Sequence, residues 1–264
     1  MVPILTAERG YIGVAGFLLL VLIESVRPFR PEGPGRWRRR LINIFIASTN
    51  ALLLSIVLGG LLVSAYHACA LYRFGLLAAL GIDGWTNVAF TMVALDGVTY
   101  AWHRAYHGLP GLWRMHRVHH SDRALDVTSS GRFHLTEMGL SALFRLSVIA
   151  VLGASVAAVV IFEIVFGLFN QLEHANLRLP PRLEAWLRPV VVTPDMHRIH
   201  HFQDTRYTNS NYGTIFSWWD RLFGTYMFGP DQRATPIGLP AYARASDVTL
   251  RQVLAMPFGP PCAI

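Results

Sequence analysis

The sequence predicts an all-α protein, a polytopic membrane helical bundle that carries a cytoplasmic, histidine-rich helical cap. Three observations lead there. The 264 residues have a mean hydropathy of +0.37 and only 15% are charged, against about 25% in a typical soluble domain. The apolar residues gather into runs close to the ~20 that a membrane helix needs. Ten of the eleven histidines fall into two blocks, most of them three or four residues apart, the spacing that shares one helix face.

Residues 11–26 form the first span, slightly short, with Glu24 near its end. Basic residues follow this run rather than precede it, which marks a retained span and not a cleavable signal. A loop rich in Pro, Gly and Arg covers 27–40. A second, longer span covers 41–66, and a short mixed connection runs over 67–83. A third span covers 85–102 and is interrupted by Asp96. The apolar stretch 138–172 has 35 residues. As one helix it would measure about 50 Å at ~1.5 Å per residue, too long for a hydrocarbon layer of ~30 Å. A hairpin turning near 153–155 fits, with two arms that stop short of a full crossing. Arg145 and Glu163 lie equally far from residue 154, so the hairpin sets them at one depth, where opposite charges in lipid pair. Residues 211–225 read as a helix ending in a turn at Gly224. Residues 1–228 form a single membrane-embedded domain, and 229–264 a Pro-rich C-terminal extension on the surface. The two HxxHH clusters are the only internal repeat.

The formal charge is +7, and all 23 basic residues are arginine. The absence of lysine is the signature of a GC-rich bacterial genome, which suggests a bacterial inner membrane. No basic-aromatic module appears, which argues against a nucleic-acid partner. Six arginines (27, 30, 36, 38, 39 and 40) crowd the first loop and place it in the cytoplasm. The chain then crosses out at the second span and returns at the third, so His103 emerges on the cytoplasmic side. The hairpin leaves from that side and returns to it. Both histidine blocks therefore meet on one membrane face. His67 stands outside them and reads as an interfacial side chain. Cys69 and Cys262 have no CxxC partner and read as inert.

The chemistry lies in His103-x3-His107, His116-x2-His119-His120 and His197-x2-His200-His201, with His134 and His174 as single additions. Imidazole suits iron, zinc, copper and nickel. Nine or ten imidazoles are too many for one ion, so two metals are expected. The HExxH signature of zinc proteases is absent, as is the Glu plus ExxH pattern of soluble di-iron bundles. Neutral ligands leave a metal pair more positive than carboxylates would, which favours an oxidising site. No GxGxxG precedes a helix, and no haem or iron–sulfur cysteine pattern appears, so electrons must come from another protein. Asp96, two turns before His103, either holds a ligand histidine, faces a substrate cavity or is solvated inside the bundle. Trp102, Tyr106 and Trp113 read as membrane-interface aromatics. Asp220 and Arg221 read as structural residues beneath the site.

HxxxH, HxxHH and a late HxxHH, followed by Asn211-Tyr-Gly213 and Trp219-Asp-Arg-Leu-Phe-Gly-Thr225, resemble the fatty acid hydroxylase / sterol desaturase superfamily. The resemblance runs from the Arg-rich loop to Thr225. It implies a membrane-bound, non-haem di-iron enzyme that uses O2 and reducing equivalents to hydroxylate or desaturate a lipid or sterol. It implies two iron ions, with zinc as a substitute in a purified sample. The implied ligands are His103, His107, His116, His119, His120, His197, His200 and His201, with His174 as the family's additional ligand. His134 lies in a segment similar to the family's HPxE, with Leu135 where proline is common, and takes a supporting or substrate-side place. Glu137 would orient a ligand imidazole through its ring N–H. A ferredoxin or cytochrome b5-like carrier with a reductase is the implied donor. An ether-lipid (alkylglycerol-type) monooxygenase would share every ligand. A non-enzymatic membrane protein with a structural di-metal site is the remaining alternative.

Overall fold

The computed structural model describes residues 2–31, 33–72, 74–242 and 248–260. The side chains of His67 and Cys69, and Cys262 altogether, lie outside the described residues. The long apolar runs become helices because nothing in them breaks one: no proline interrupts them, and their outer faces are Leu, Val, Ile and Phe. They are α1 (Val2–Val26), α2 (Arg36–Tyr72), α4 (Gly84–Gly108), α6 (Leu135–Leu152) and α7 (Val156–His174), with a single turn, α3 (Leu76–Ala79), before α4. Shorter helices follow the polar segments: α5 (Pro110–His120), α8 (Pro181–Leu187), α9 (Pro194–His200), α10 (Thr205–Thr208), α11 (Trp218–Leu222) and α12 (Leu250–Ala255). Among the described residues there is no strand, only the bridges Val191–Phe216 and Phe202–Ile237.

Four helices are long and apolar enough to cross a membrane: Glu8–Val26, Arg36–Leu61, Leu135–Leu152 and Val156–His174. The expected hairpin forms, and its turn is encoded locally. Gly153 ends α6 in the left-handed region at φ 71°, and the Ser155 hydroxyl caps α7 by accepting from the Ala158 N–H. Its arms have 18 and 19 residues, about 27–28 Å at ~1.5 Å per residue. They match the hydrocarbon layer, which corrects the expectation that they stop short. The third expected span, 85–102, lies in a real helix, but α4 is not among the four. Its buried face carries Asn87, Thr91 and Asp96, so it reads as less apolar than its neighbours. The mixed connection starts later than expected, because α2 continues to Tyr72.

α1 and α7 pack side by side in the same direction. Gly16 meets Leu168 and Gln171, and Leu20 packs with Leu172, Ala175 and Leu177. α4 packs along α7 around Leu95, Ile149, Phe162 and Ile215. At the far end, Asn87 ties the α6–α7 turn to α4, accepting from the Ser155 N–H at 3.0 Å and donating to the Ile82 carbonyl at 3.0 Å. The opposite end, where α4 and α7 finish and α5 and α6 begin, carries the cap.

Arginine holds the cap on the bundle. Arg39 pairs with Asp122 (3.0 Å) and Asp126; Arg40 pairs with Asp126 (2.9 Å) and Glu24 (3.1 Å). Buried Arg132 donates to Asn43 Oδ1, the Val118 carbonyl and Ser121 Oγ. Arg30 donates to the Arg233 and Thr235 carbonyls. Three of the six loop arginines that set the expected orientation therefore bind within the protein, while Arg27, Arg36 and Arg38 are exposed.

Residues after 229 do not form the expected surface extension. Val253 and Met256 pack with Ile46 and Val118, and buried Arg117 donates to the Met256, Gly259 and Pro260 carbonyls. Apolar residues spaced along the tail, hidden by its prolines in the sequence, supply this contact. The expected helix over 211–225 shrinks to α11. Before it, the chain loops around two carboxylates. Asp220 accepts from the Tyr212 and Gly213 N–H groups at 2.8 and 2.9 Å. Asp96 accepts from Ile215 N, Phe216 N and Trp219 Nε1. Asp96 thus neither holds a histidine nor is solvated; it fastens α4 to the 211–219 loop.

Removing a buried carboxylate with three donors leaves each donor unpaired. Asp96→Ala is expected to destabilise the protein by about 2–4 kcal/mol, read as a lowered thermal midpoint in detergent. An unchanged midpoint would contradict this account of the α4–cap junction.

Candidate metal centre

α5 and α9 begin at prolines in the first helical position, where a missing N–H costs nothing. Each delivers an HxxHH to the cap interior. In an α-helix, residues four apart lie ~40° from one another, whereas residue i+3 sits on the other side of i. The two triplets therefore do not converge as units; each divides. His116 and His120 join His103, His107 and His200 in one group, while His119 joins His174, His197 and His201 in a second. Within each group one nitrogen per ring lies within 4.8 Å of every other. All nine expected ring positions are brought into these two groups. His134 is brought to neither: it caps α6, its Nδ1 lies 2.7 Å from Thr136 Oγ1, and its ring meets Phe258 edge-on.

The outer nitrogens are held by oxygen. His103 Nδ1 donates to the Tyr212 carbonyl (2.9 Å), His200 Nδ1 to the Ser210 carbonyl (2.7 Å) and His107 Nδ1 to Asn209 Oδ1 (3.2 Å). One loop, 209–212, thus orients three rings. Its shape needs Asn211 at φ 51°, a left-handed conformation that Asn tolerates. It also needs Gly213, where a Cβ would come within 2.9 Å of Asp220 Oδ2. The Asn-Tyr-Gly and Trp-Asp-Arg segments are therefore two halves of one histidine-orienting device. Arg221 supports it from behind, donating to Ser217 and to the Arg188 carbonyl.

Glu137 Oε1 lies 2.6 Å from His116 Nδ1, so a buried carboxylate does face a ring N–H there. The sequence reading missed its counterpart. Glu173 places its carboxylate 3.7 Å from His197 Nδ1 and 3.9 Å from His174 Nδ1. The signal was a glutamate directly preceding a histidine at the end of an apolar helix. His174 Nδ1 itself donates to the Asn170 carbonyl at 2.6 Å.

The inner nitrogens have no such partners. A neutral imidazole that donates from Nδ1 keeps a lone pair on Nε2. His103 Nε2 and His116 Nε2 face each other at 3.2 Å, and His107, His120 and His200 Nε2 are buried without a hydrogen bond. In the second group the Nε2 atoms of His119 and His174, His174 and His197, and His197 and His201 lie 3.0–3.1 Å apart. Two nitrogens ~2.1 Å from one ion at a right angle are ~3 Å apart. In the first group, facing lone pairs at that distance repel unless a cation lies between them; the second group brings its ring nitrogens to the same spacing, and both groups fit a metal ion. Burial, reinforced by neighbouring rings, holds the cap imidazoles of His116, His119, His120, His197, His200 and His201 well below the usual histidine pKa. They stay neutral, as a metal ligand must.

A cavity of about 520 Å³ starts at His103, His116, His119, His174 and His197 and runs between α2, α4, α6 and α7. Trp102 and Tyr106, expected at the membrane interface, build its wall instead. Trp102 stacks on Phe144 and donates to Ser141 Oγ, and Tyr106 stacks on His116. Trp113, also expected there, is buried against His107 and His120.

Residues 88–225, just over half of the chain, match the family described as fatty acid hydroxylase. The chain is similar to an ornithine lipid hydroxylase of Rhizobium tropici, 32% identical over 58% of this chain and 45% of the relative. It is similar to an alkylglycerol monooxygenase of Danio rerio, 29% identical over 84% of this chain and 48% of the relative. It is also similar to a cholesterol 25-hydroxylase of Rattus norvegicus, 24% identical over 56% and 49%. The chain thus spans less than half the length of these curated relatives. No solved structure matches it.

Because the two groups are distinct, they should lose metal separately. His200→Ala is expected to lower bound metal mainly in the first group and His119→Ala mainly in the second, each by about one ion per chain. Membrane insertion should persist in both. Full metal content in either variant, measured on the purified protein, would refute the assignment.

Proposed function

The chain belongs to the fatty acid hydroxylase family, and from that premise we propose that it oxidises an aliphatic C–H of a membrane lipid or sterol with O2, by hydroxylation or desaturation. One observation carries the reading: an apolar cavity in the membrane bundle ends on the open faces of both histidine groups. The groups fit two iron ions, held by His103, His107, His116, His120 and His200 on one side and by His119, His174, His197 and His201 on the other. Bound there, the iron pair would supply activation of O2 for attack on an unactivated C–H.

The rest of the work falls to the chain's own residues. Leu95, Val98, Phe133, Met138 and Ile149 line the cavity; they hold hydrocarbon and exclude water, which protects a reactive site. His103, His116, His119, His174 and His197 end the cavity, so a carbon at its closed end lies against both groups. Glu137 and the 209–212 loop keep the ring N–H groups turned outward and the lone pairs inward, and Glu173 sets a buried carboxylate 3.7 Å from His197 Nδ1. Electrons come from a ferredoxin or cytochrome b5-like carrier with its reductase. Exposed Arg27, Arg38 and Arg123 give an acidic carrier a docking face. The arginine-rich first loop supports a reading in which this face and the metal site lie on the cytoplasmic side of a bacterial inner membrane.

A second reading, ether-lipid cleavage through oxidation of the carbon beside the oxygen, is favoured by the reach of the similarity to alkylglycerol monooxygenase across 84% of this chain. It uses the same site, and a pterin requirement would single it out.

Cells with and without the gene, grown under 18O2, test the proposal by comparative lipidomics. Expected is one lipid class that gains 18O or loses two hydrogens only when the gene is present, and not with His200→Ala. Two tightly held zinc ions with no O2 consumption under any reductant would overturn it.

A further inference from the structure

The cavity does not end in hydrocarbon. Opposite the histidines its wall is charged: Arg145 and Glu163, which pair at 2.8 Å and are about a quarter exposed, and Arg9 of α1. Charged side chains at bilayer depth are costly, and they occur where they pair or mark a substrate path. Glu163 lies eleven residues before His174 on α7, ~16 Å at ~1.5 Å per residue, near the middle of the span. The parallel packing of α1 on α7 brings Arg9 to the same level.

The three charges do not cancel. Glu163 is taken by Arg145, whose guanidinium also stacks on Phe166 at 4.7 Å. Among the described residues Arg9 has no ion-pair partner, and it still lines the cavity. Arg9 is exposed at the start of the candidate span Glu8–Val26, so the charged end carries one positive charge that Glu163 does not meet and that an anion can reach. Beyond their turn, α6 packs on α2, α4 and α5 while α7 packs on α1 and α4. The two arms are left apart along the seam that the Arg145–Glu163 pair bridges.

We propose that this cavity takes a single-chain anionic amphiphile whose carboxylate or phosphate is held by Arg9 beside the Arg145–Glu163 pair, with its hydrocarbon end directed at the histidines. The inference rests on the oxidation reading for the identity of the reacting end, and it adds that the carbon attacked is remote from the anionic group. Arg9 is a specificity-determining residue in this arrangement: it touches the substrate far from the reacting carbon.

Equilibrium binding of palmitate, hexadecyl phosphate and uncharged methyl palmitate to the purified full-length protein, kept anaerobic so that no turnover occurs, tests this. Expected is at least tenfold tighter binding of one or both anions than of the ester, and whichever anion shows it identifies the headgroup. Arg9→Gln should erase that preference while leaving ester binding unchanged, which also shows that the variant is folded; Arg9→Lys should keep it. Equal binding of ester and both anions by the unaltered protein, or a preference that survives Arg9→Gln, would overturn the proposal. Loss of the oxidation reading would leave this measurement untouched, since no oxidation enters it.

Discussion

Buried imidazole lone pairs facing one another at about 3 Å are the constraint on which the rest of this structure depends. His103 against His116, and His174 against His119 and His197, are held at 3.0–3.2 Å, the spacing of ring nitrogens around one metal ion. His103, His107, His116, His174 and His200 are turned this way by an oxygen facing the outer nitrogen. The acceptors come from distant parts of the chain: the 209–212 loop, Asn170 on α7 and Glu137 on α6. Asp220 shapes the loop, and Asp96 anchors it to α4. Much of the cap is thus a scaffold that stores ligand orientation in advance, as outer hydrogen bonds around metal ligands commonly do.

The membrane helices contribute in a second way. They bring the ends of α4 and α7 together under the cap, so that His103 and His107 rise from the end of α4 and His174 from the end of α7, while the two HxxHH triplets come from short cap helices. The same helices leave a cavity below the histidines. Both histidine groups therefore face this cavity on one side and packed aromatic and arginine-rich residues on the other.

Much of this was legible in the sequence. Histidine spacing identified eight of the nine rings that meet, because helical periodicity is strict over three or four residues; His174 came only with the family resemblance. The hairpin was legible from length alone, and the Arg145–Glu163 pair from symmetry about residue 154; both are present. The division of each HxxHH between two groups was not, since it depends on where partner helices approach. Nor was the role of Glu173, which a sequence shows only as a glutamate beside a histidine. Trp102, Tyr106 and Trp113 were misread because aromatics near span ends usually face the interface, whereas here the cap covers them. The tail after 229 was misread because prolines disguised the apolar residues that dock it on α2 and α5. The expected span at 85–102 is a helix packed along α7, but Asn87, Thr91 and Asp96 on its buried face leave it less apolar than the four candidate spans.

The central claim is that two ions occupy two separate histidine groups. Anomalous scattering recorded at the iron edge from crystals of the iron-loaded protein addresses it directly. The account predicts two peaks per chain, one among His103, His107, His116, His120 and His200 and one among His119, His174, His197 and His201. A single peak shared by both groups, or iron bound elsewhere in an active preparation, would contradict it.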